Sequence, residues 1–128
     1  MYERGKVFRL KSESSPVAAL LIHVADQAAG VAWYSKAFPM AIRKVGEDGF
    51  VFLHVQGTAI EIVPADEKVS SGPAGSVVYW RVEDFDEALT HMQEQGAVLY
   101  RGPMKIEDGL RMCQVRDPWG NCIGLRGK

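Results

Sequence analysis

A chain of 128 residues is one domain's worth, long enough to bury a core without disulfides or a structural metal. Hydrophobic residues make up 47% and charged residues 24%, an ordinary globular balance, and 15 Lys and Arg against 16 Asp and Glu leave a net charge of −1. No basic stripe argues for nucleic acid, and the apolar run at residues 17–22 is far too short to span a bilayer.

Residues 1–15 are polar and end in Ser-Glu-Ser-Ser-Pro, the composition of a tail or arm, although Val7-Phe8-Arg9-Leu10 alternates weakly and could add a strand to a partner. The first ten residues hold no apolar signal core, which reads as a cytoplasmic protein with Cys113 and Cys122 reduced. Residues 16–128 read as one domain: a first module at about 16–64, a Pro/Ser/Gly-rich linker at 65–75 and a second module at about 76–126.

Residues 17–25 are rich in aliphatic and β-branched side chains and predict a strand. Asp26 follows as an N-cap, its carboxylate accepting from the free N–H groups of a helix over 27–38 that Pro39 stops. A strand over 41–45 precedes a hairpin, 50–55 with 58–63, across Gln56-Gly57. Beyond the linker the order returns. A strand over 77–82 leads to the cap Asp84 and a helix over 85–96, then a short strand over 98–100. The last hairpin pairs 110–115 with 122–126 around Asp117-Pro118-Trp119-Gly120-Asn121. His23-Val24-Ala25-Asp26 and Arg81-Val82-Glu83-Asp84 mark the repeat, 58 residues apart. The count is βαβββ twice, an α+β plan with a mixed or antiparallel eight-stranded sheet.

These residues resemble the vicinal oxygen chelate superfamily, which includes glyoxalase I, extradiol dioxygenases, fosfomycin-resistance enzymes and bleomycin-resistance proteins. The likeness is carried by Val24-Ala25-Asp26 with Ala29, Ala32, Trp33 and Tyr34, and by its echo in Val82-Glu83-Asp84 with Ala88 and Leu89. The closing Asp117-Pro118-Trp119-Gly120-Asn121 turn completes it. The resemblance implies paired modules cupped into an incomplete eight-stranded barrel around a cavity, and a homodimer. It also implies a divalent metal held by four residues. Carried over, those positions are Ala19, Glu61, Val77 and Gly124, and only Glu61 has a donor. The expectation is therefore no metal and no cofactor.

Strand alternation sorts the side chains around the implied cavity. Leu20, Ile22 and Val24 should face the first helix, with Ala19, Leu21 and His23 inward. Val78, Trp80 and Val82 should face the second helix, with Val77, Tyr79 and Arg81 inward. Phe50, Phe52 and His54 should share a face with Ala59, Glu61 and Val63, and Cys122 and Gly124 should also point inward. The candidate ligand-binding residues are His23, Phe52, His54, Glu61, Tyr79, Arg81, Trp119 and Cys122, mostly apolar surroundings with a few polar groups. His54 and Glu61 are the weak candidates for catalysis, since a carboxylate holding an imidazole raises its basicity. Arg81 has three outcomes open: pairing with Glu61 or Glu83, reaching the rim, or holding an anionic group. Trp119 is expected exposed or at the cavity mouth, and a thiol at Cys122 near Arg81 would have a lowered pKa.

The leading expectation is a metal-free protein that binds a small, partly apolar organic molecule between the modules. The alternatives are a lyase- or dioxygenase-type enzyme, with non-standard ligands or metal-free acid–base chemistry, and a non-catalytic dimerisation module. Neither nucleic acid nor membrane is expected as a partner.

Overall fold

The computed structural model describes residues 17–128, so the expected tail at residues 1–15 lies outside the described residues. The first module runs β1 (Leu20–Val24), α1 (Gln27–Ala37), β2 (Ile42–Val45), β3 (Val51–Val55) and β4 (Thr58–Pro64). The second runs β5 (Tyr79–Arg81), α2 (Phe85–Glu94), β6 (Val98–Lys105), β7 (Arg111–Arg116) and β8 (Cys122–Gly127). A single 3-10 turn, Glu107–Gly109, separates β6 from β7.

Both helices start where the sequence places their caps. The Asp26 carboxylate accepts from Ala29 N at 3.1 Å, and the Asp84 carboxylate from Glu87 N at 3.0 Å. Each satisfies a first-turn N–H that has no partner inside the helix, worth about 1 kcal/mol. The β3–β4 hairpin turns at Gln56 (φ 43°) and Gly57 (φ 93°), the pair of left-handed residues that matches the twist of the strands.

The eight strands form two four-stranded sheets, ordered β1-β4-β3-β2 and β5-β8-β7-β6, one for each expected module, and they do not close into a barrel. Each is mixed: β1 runs parallel to β4 and β5 to β8, while the remaining pairs are antiparallel. The strand after α2 is eight residues long where the sequence predicts three. Two register shifts against β7 carry it past Gly102-Pro103, which break the local β pattern.

One core serves both modules. It joins Val24, Leu53, Ile60 and Ile62 of the first sheet to Phe85, Met92, Val115, Ile123 and Leu125 of the second module, with Tyr34, Ala37 and Phe38 of the α1 segment among them. Gly30 lets α1 settle on β1 and β4, since a Cβ there would lie 2.6 Å from Ile62 Cγ2 and 2.9 Å from Val24 Cγ2. The other side of α1 reaches the second module. Trp33 Nε1 donates to Gln95 O at 2.8 Å, and the Phe38 and Trp80 rings lie 4.9 Å apart. His91 Nε2 donates to the carbonyls of Lys36 and Ala37, capping the end of α1 from α2.

Asp117 completes the junction. Its carboxylate is 4% exposed and accepts from Tyr34 Oη (2.5 Å), Trp119 N (2.8 Å), Asn121 N (2.8 Å) and Asn121 Nδ2 (3.0 Å). Asn121 extends the network across the molecule, donating to His23 O at 2.9 Å and accepting from Gly72 N of the linker at 2.9 Å. Burial first, and then the charge of Asp117 and its hydrogen bond, push the Tyr34 hydroxyl far above its usual range.

Folding therefore holds the Tyr34 proton where the unfolded chain would release it. The resulting stability is complete below the ordinary tyrosine value of about 10 and is lost as pH rises beyond it. Tyr34→Phe should cost about 1–3 kcal/mol at neutral pH by leaving Asp117 short of a donor. It should also flatten the fall in stability above pH ~10. Urea midpoints measured across that pH range check both effects.

Candidate functional site

Register divides the candidate residues between three places. Leu21 pairs with Glu61, His23 with Val63, and His54 with both Ala59 and Ile42, which puts His23, His54 and Glu61 on the face of the first sheet turned away from α1. Phe52 lies two residues from His54 on the same face. His54 and Glu61 share this face as expected, but no hydrogen bond joins them.

On the second sheet, Tyr79 pairs with Gly124 and Arg81 with Arg126, while Arg116 pairs with Cys122. Tyr79, Arg81 and Cys122 thus lie on the face turned away from α2. Arg81 is exposed. Among the described residues the ion pair present is Arg111–Asp86 at 3.0 Å, so Arg81 joins neither Glu61 nor Glu83. Arg111 holds the Asp86 carboxyl below its usual range, on the opposite side of this sheet.

Trp119 is neither exposed nor at the mouth of the cleft, the two places expected of it. It is half-buried against the core, edge-on to Trp33 with ring centroids 6.4 Å apart. The turn folds back onto α1 because Asp117 binds Tyr34, and Trp119 follows it. The Cys122 thiol is also raised rather than lowered: desolvation outweighs the nearby Arg116, and Asp117 adds to the rise. Burial likewise pushes Cys113 up to about 11, and both cysteines are free.

Between the modules lies a cleft of about 280 Å³. Leu20, Ile22, Phe38, Trp80 and Ile123 give it apolar walls, and the linker around Ser70 and Gly72 crosses it. His23, Asn121 and Cys122 bring polar atoms to the same space. The cleft falls where β1 and β5, the edge strands of the two sheets, leave a gap. Sequence reasoning placed His23 and Cys122 at such a space but missed Asn121, Phe38 and Trp80. Asn121 was legible only as a turn residue, Phe38 only as the end of the first helix, and Trp80 only as facing the second helix.

The positions that would hold the family's metal do not fit one. Ala19, Val77 and Gly124 have no side-chain donor, and Glu61 alone is a poor site. Gly124 is moreover covered by the Tyr79 ring, so close that a Cβ there would lie 2.5 Å from Tyr79 Cδ1. Among the described residues no group of three or more His, Cys, Asp or Glu side chains is placed to hold a metal. No helix among them is long and apolar enough to cross a membrane.

Two βαβββ modules, each with a mixed sheet and a helix packed on one face, define a glyoxalase-type fold without a closed barrel. The sequence profile of the Glyoxalase/Bleomycin resistance protein/Dioxygenase superfamily matches residues 17–125, and the chain belongs to that superfamily. An integron cassette protein from the mobile metagenome of V. Cholerae has a similar structure, with a TM-score of 0.70 at 21% identity over 94% of this chain and 98% of that one. A superfamily member from Sphaerobacter thermophilus DSM 20745 reaches 0.70 at 20% identity, over 88% of this chain and 96% of its own. A glyoxalase/bleomycin resistance protein from Streptomyces sp. CB03234 reaches 0.65 at 23% identity, over 85% and 97%. At these identities the likeness concerns the fold alone. Among curated proteins none matches the chain.

Added Ni²⁺, Zn²⁺ or Mn²⁺ should leave the melting temperature of the wild type and of Glu61→Gln equally unchanged. A bound metal would raise it by mass action, so thermal-shift titration reads the difference directly.

Proposed function

We propose that this chain binds a small, partly apolar organic molecule in the cleft between its modules, without the metal site usual in its superfamily. The cleft itself carries the reading: apolar walls from both modules with a few convergent polar groups, at about 280 Å³ just below the roughly 300–1,000 Å³ typical of ligand sites. The donor-poor metal positions and the Tyr79 ring over Gly124 support binding without a Lewis acid. Metal-free acid–base catalysis has less support, because His54 and Glu61 lie on an outer face away from the cleft and do not touch.

Val78 lines the cleft and is 39% exposed, so Val78→Trp should fill the opening at little cost to folding. A neutral aromatic probe such as 1-naphthol should raise the melting temperature of the wild type and leave that of the variant unmoved. A shift of equal size in both would sink the cleft reading.

The chain is also proposed to act as a homodimer that covers the outer face of the first sheet. Leu21 (49% exposed) and Ile42 (59%) are large apolar side chains on that face with no cover within the chain. Sedimentation should show a dimer, and Ile42→Glu should weaken it at least tenfold. A monomer at micromolar concentration would overturn this assembly.

A further inference from the structure

The four strands of the second sheet contain no Asp or Glu, although the whole chain carries a net charge of −1. They carry Arg81, Arg101, Arg116 and Arg126 on the face turned away from α2. The register sets this: Arg81 pairs with Arg126, Arg101 with Gln114, Gln114 with Gly124, and Arg116 with Cys122.

Arg81 and Arg126 stand directly opposite each other. Like charges at such positions destabilise a sheet, and no carboxylate of the described residues pairs with either. Arg126 is held in place, its guanidinium carbon 5.0 Å over the Tyr79 ring. Its Nε is buried and has no hydrogen-bond acceptor, a costly state for a charged donor. The Tyr79 hydroxyl accepts from Gln114 Nε2 at 2.7 Å, which leaves its own proton free to donate. Met112 pairs with Arg126, and Met104 with Met112, so apolar thioethers border the charged pair.

We propose that this face holds an anion subsite, in which Arg81 and Arg126 grip a carboxylate, Tyr79 donates a further hydrogen bond, and Met104 and Met112 meet an apolar body. The ligand class is a small organic acid. Two planar guanidinium forks suit a carboxylate, and the anion supplies the charge that relieves the arginine pair. The subsite uses residues of one module only, so it requires neither the cleft nor the dimer.

Benzoate and its neutral isostere benzamide test it, by calorimetric titration of the full chain. Benzoate should bind at least tenfold more tightly than benzamide and lose tenfold or more in Arg81→Gln and Arg126→Gln. Lys105→Gln should leave it unchanged, because Lys105 pairs with Arg111 on the opposite face. Should Arg126→Gln fail to fold, the exposed Arg81 carries the test alone. Equal binding of benzoate and benzamide, or equal loss in Arg81→Gln and Lys105→Gln, would overturn the subsite. So would the absence of benzoate binding, and a normal 1-naphthol shift in that case would leave the cleft reading standing.

Discussion

A buried carboxylate with four donors holds this molecule together. Asp117 makes no ion pair among the described residues, so its removal from water is compensated by hydrogen bonds from Tyr34, Trp119 and Asn121. The two backbone donors close the β7–β8 turn. The Tyr34 hydroxyl draws in α1 of the other module, 83 residues away. Through Asn121 the same network anchors the end of β1 and the linker, at His23 O and Gly72 N. Each of these donors must be in place, because a low-dielectric site magnifies the cost of an unmet bond.

The shape of the cleft follows from that junction. With α1 drawn onto the second module, Phe38 meets Trp80 and the two edge strands are brought near each other without pairing. The linker, tied down at Gly72, crosses the space that remains. Helix-facing side chains from both modules are consumed in one core, and the opposite faces of the sheets are left to solvent or to a partner. This separates the polar candidates: His23 and Cys122 reach the cleft, whereas His54, Glu61, Tyr79 and Arg81 stay outside it.

The two outer faces have different chemistry. The first combines Glu61, two histidines and Lys44 with apolar groups, while the charged side chains of the second are all arginines. Superfamily membership sets the fold on which these faces lie but not their chemistry. Where the family would have a metal ligand, this chain has a glycine beneath a tyrosine ring. The same tyrosine supports Arg126, whose guanidinium carbon lies 5.0 Å over its ring.

Much of the fold was legible in the sequence because it rests on neighbours along the chain. The caps Asp26 and Asp84, the Gln56-Gly57 turn, the alternation of Leu20 to Val24 and the repeat itself act over a few residues. The face assignments of His23, His54, Tyr79 and Arg81 came from strand period alone. The length of β6 was not legible, since its later residues gain their pairing from β7 despite a glycine and a proline. Nor was the role of the closing turn: Asp117 and Asn121 read as turn formers, and Trp119 as exposed or at the cavity mouth. Whether Arg81 meets a carboxylate or another arginine depends on which strand lies beside it. Sequence by itself determined the elements, their caps and their faces, because those energies are local. Tertiary structure alone decided the junction at Asp117, the cleft and the arginine pair, because each joins residues that the chain keeps 45 or more positions apart.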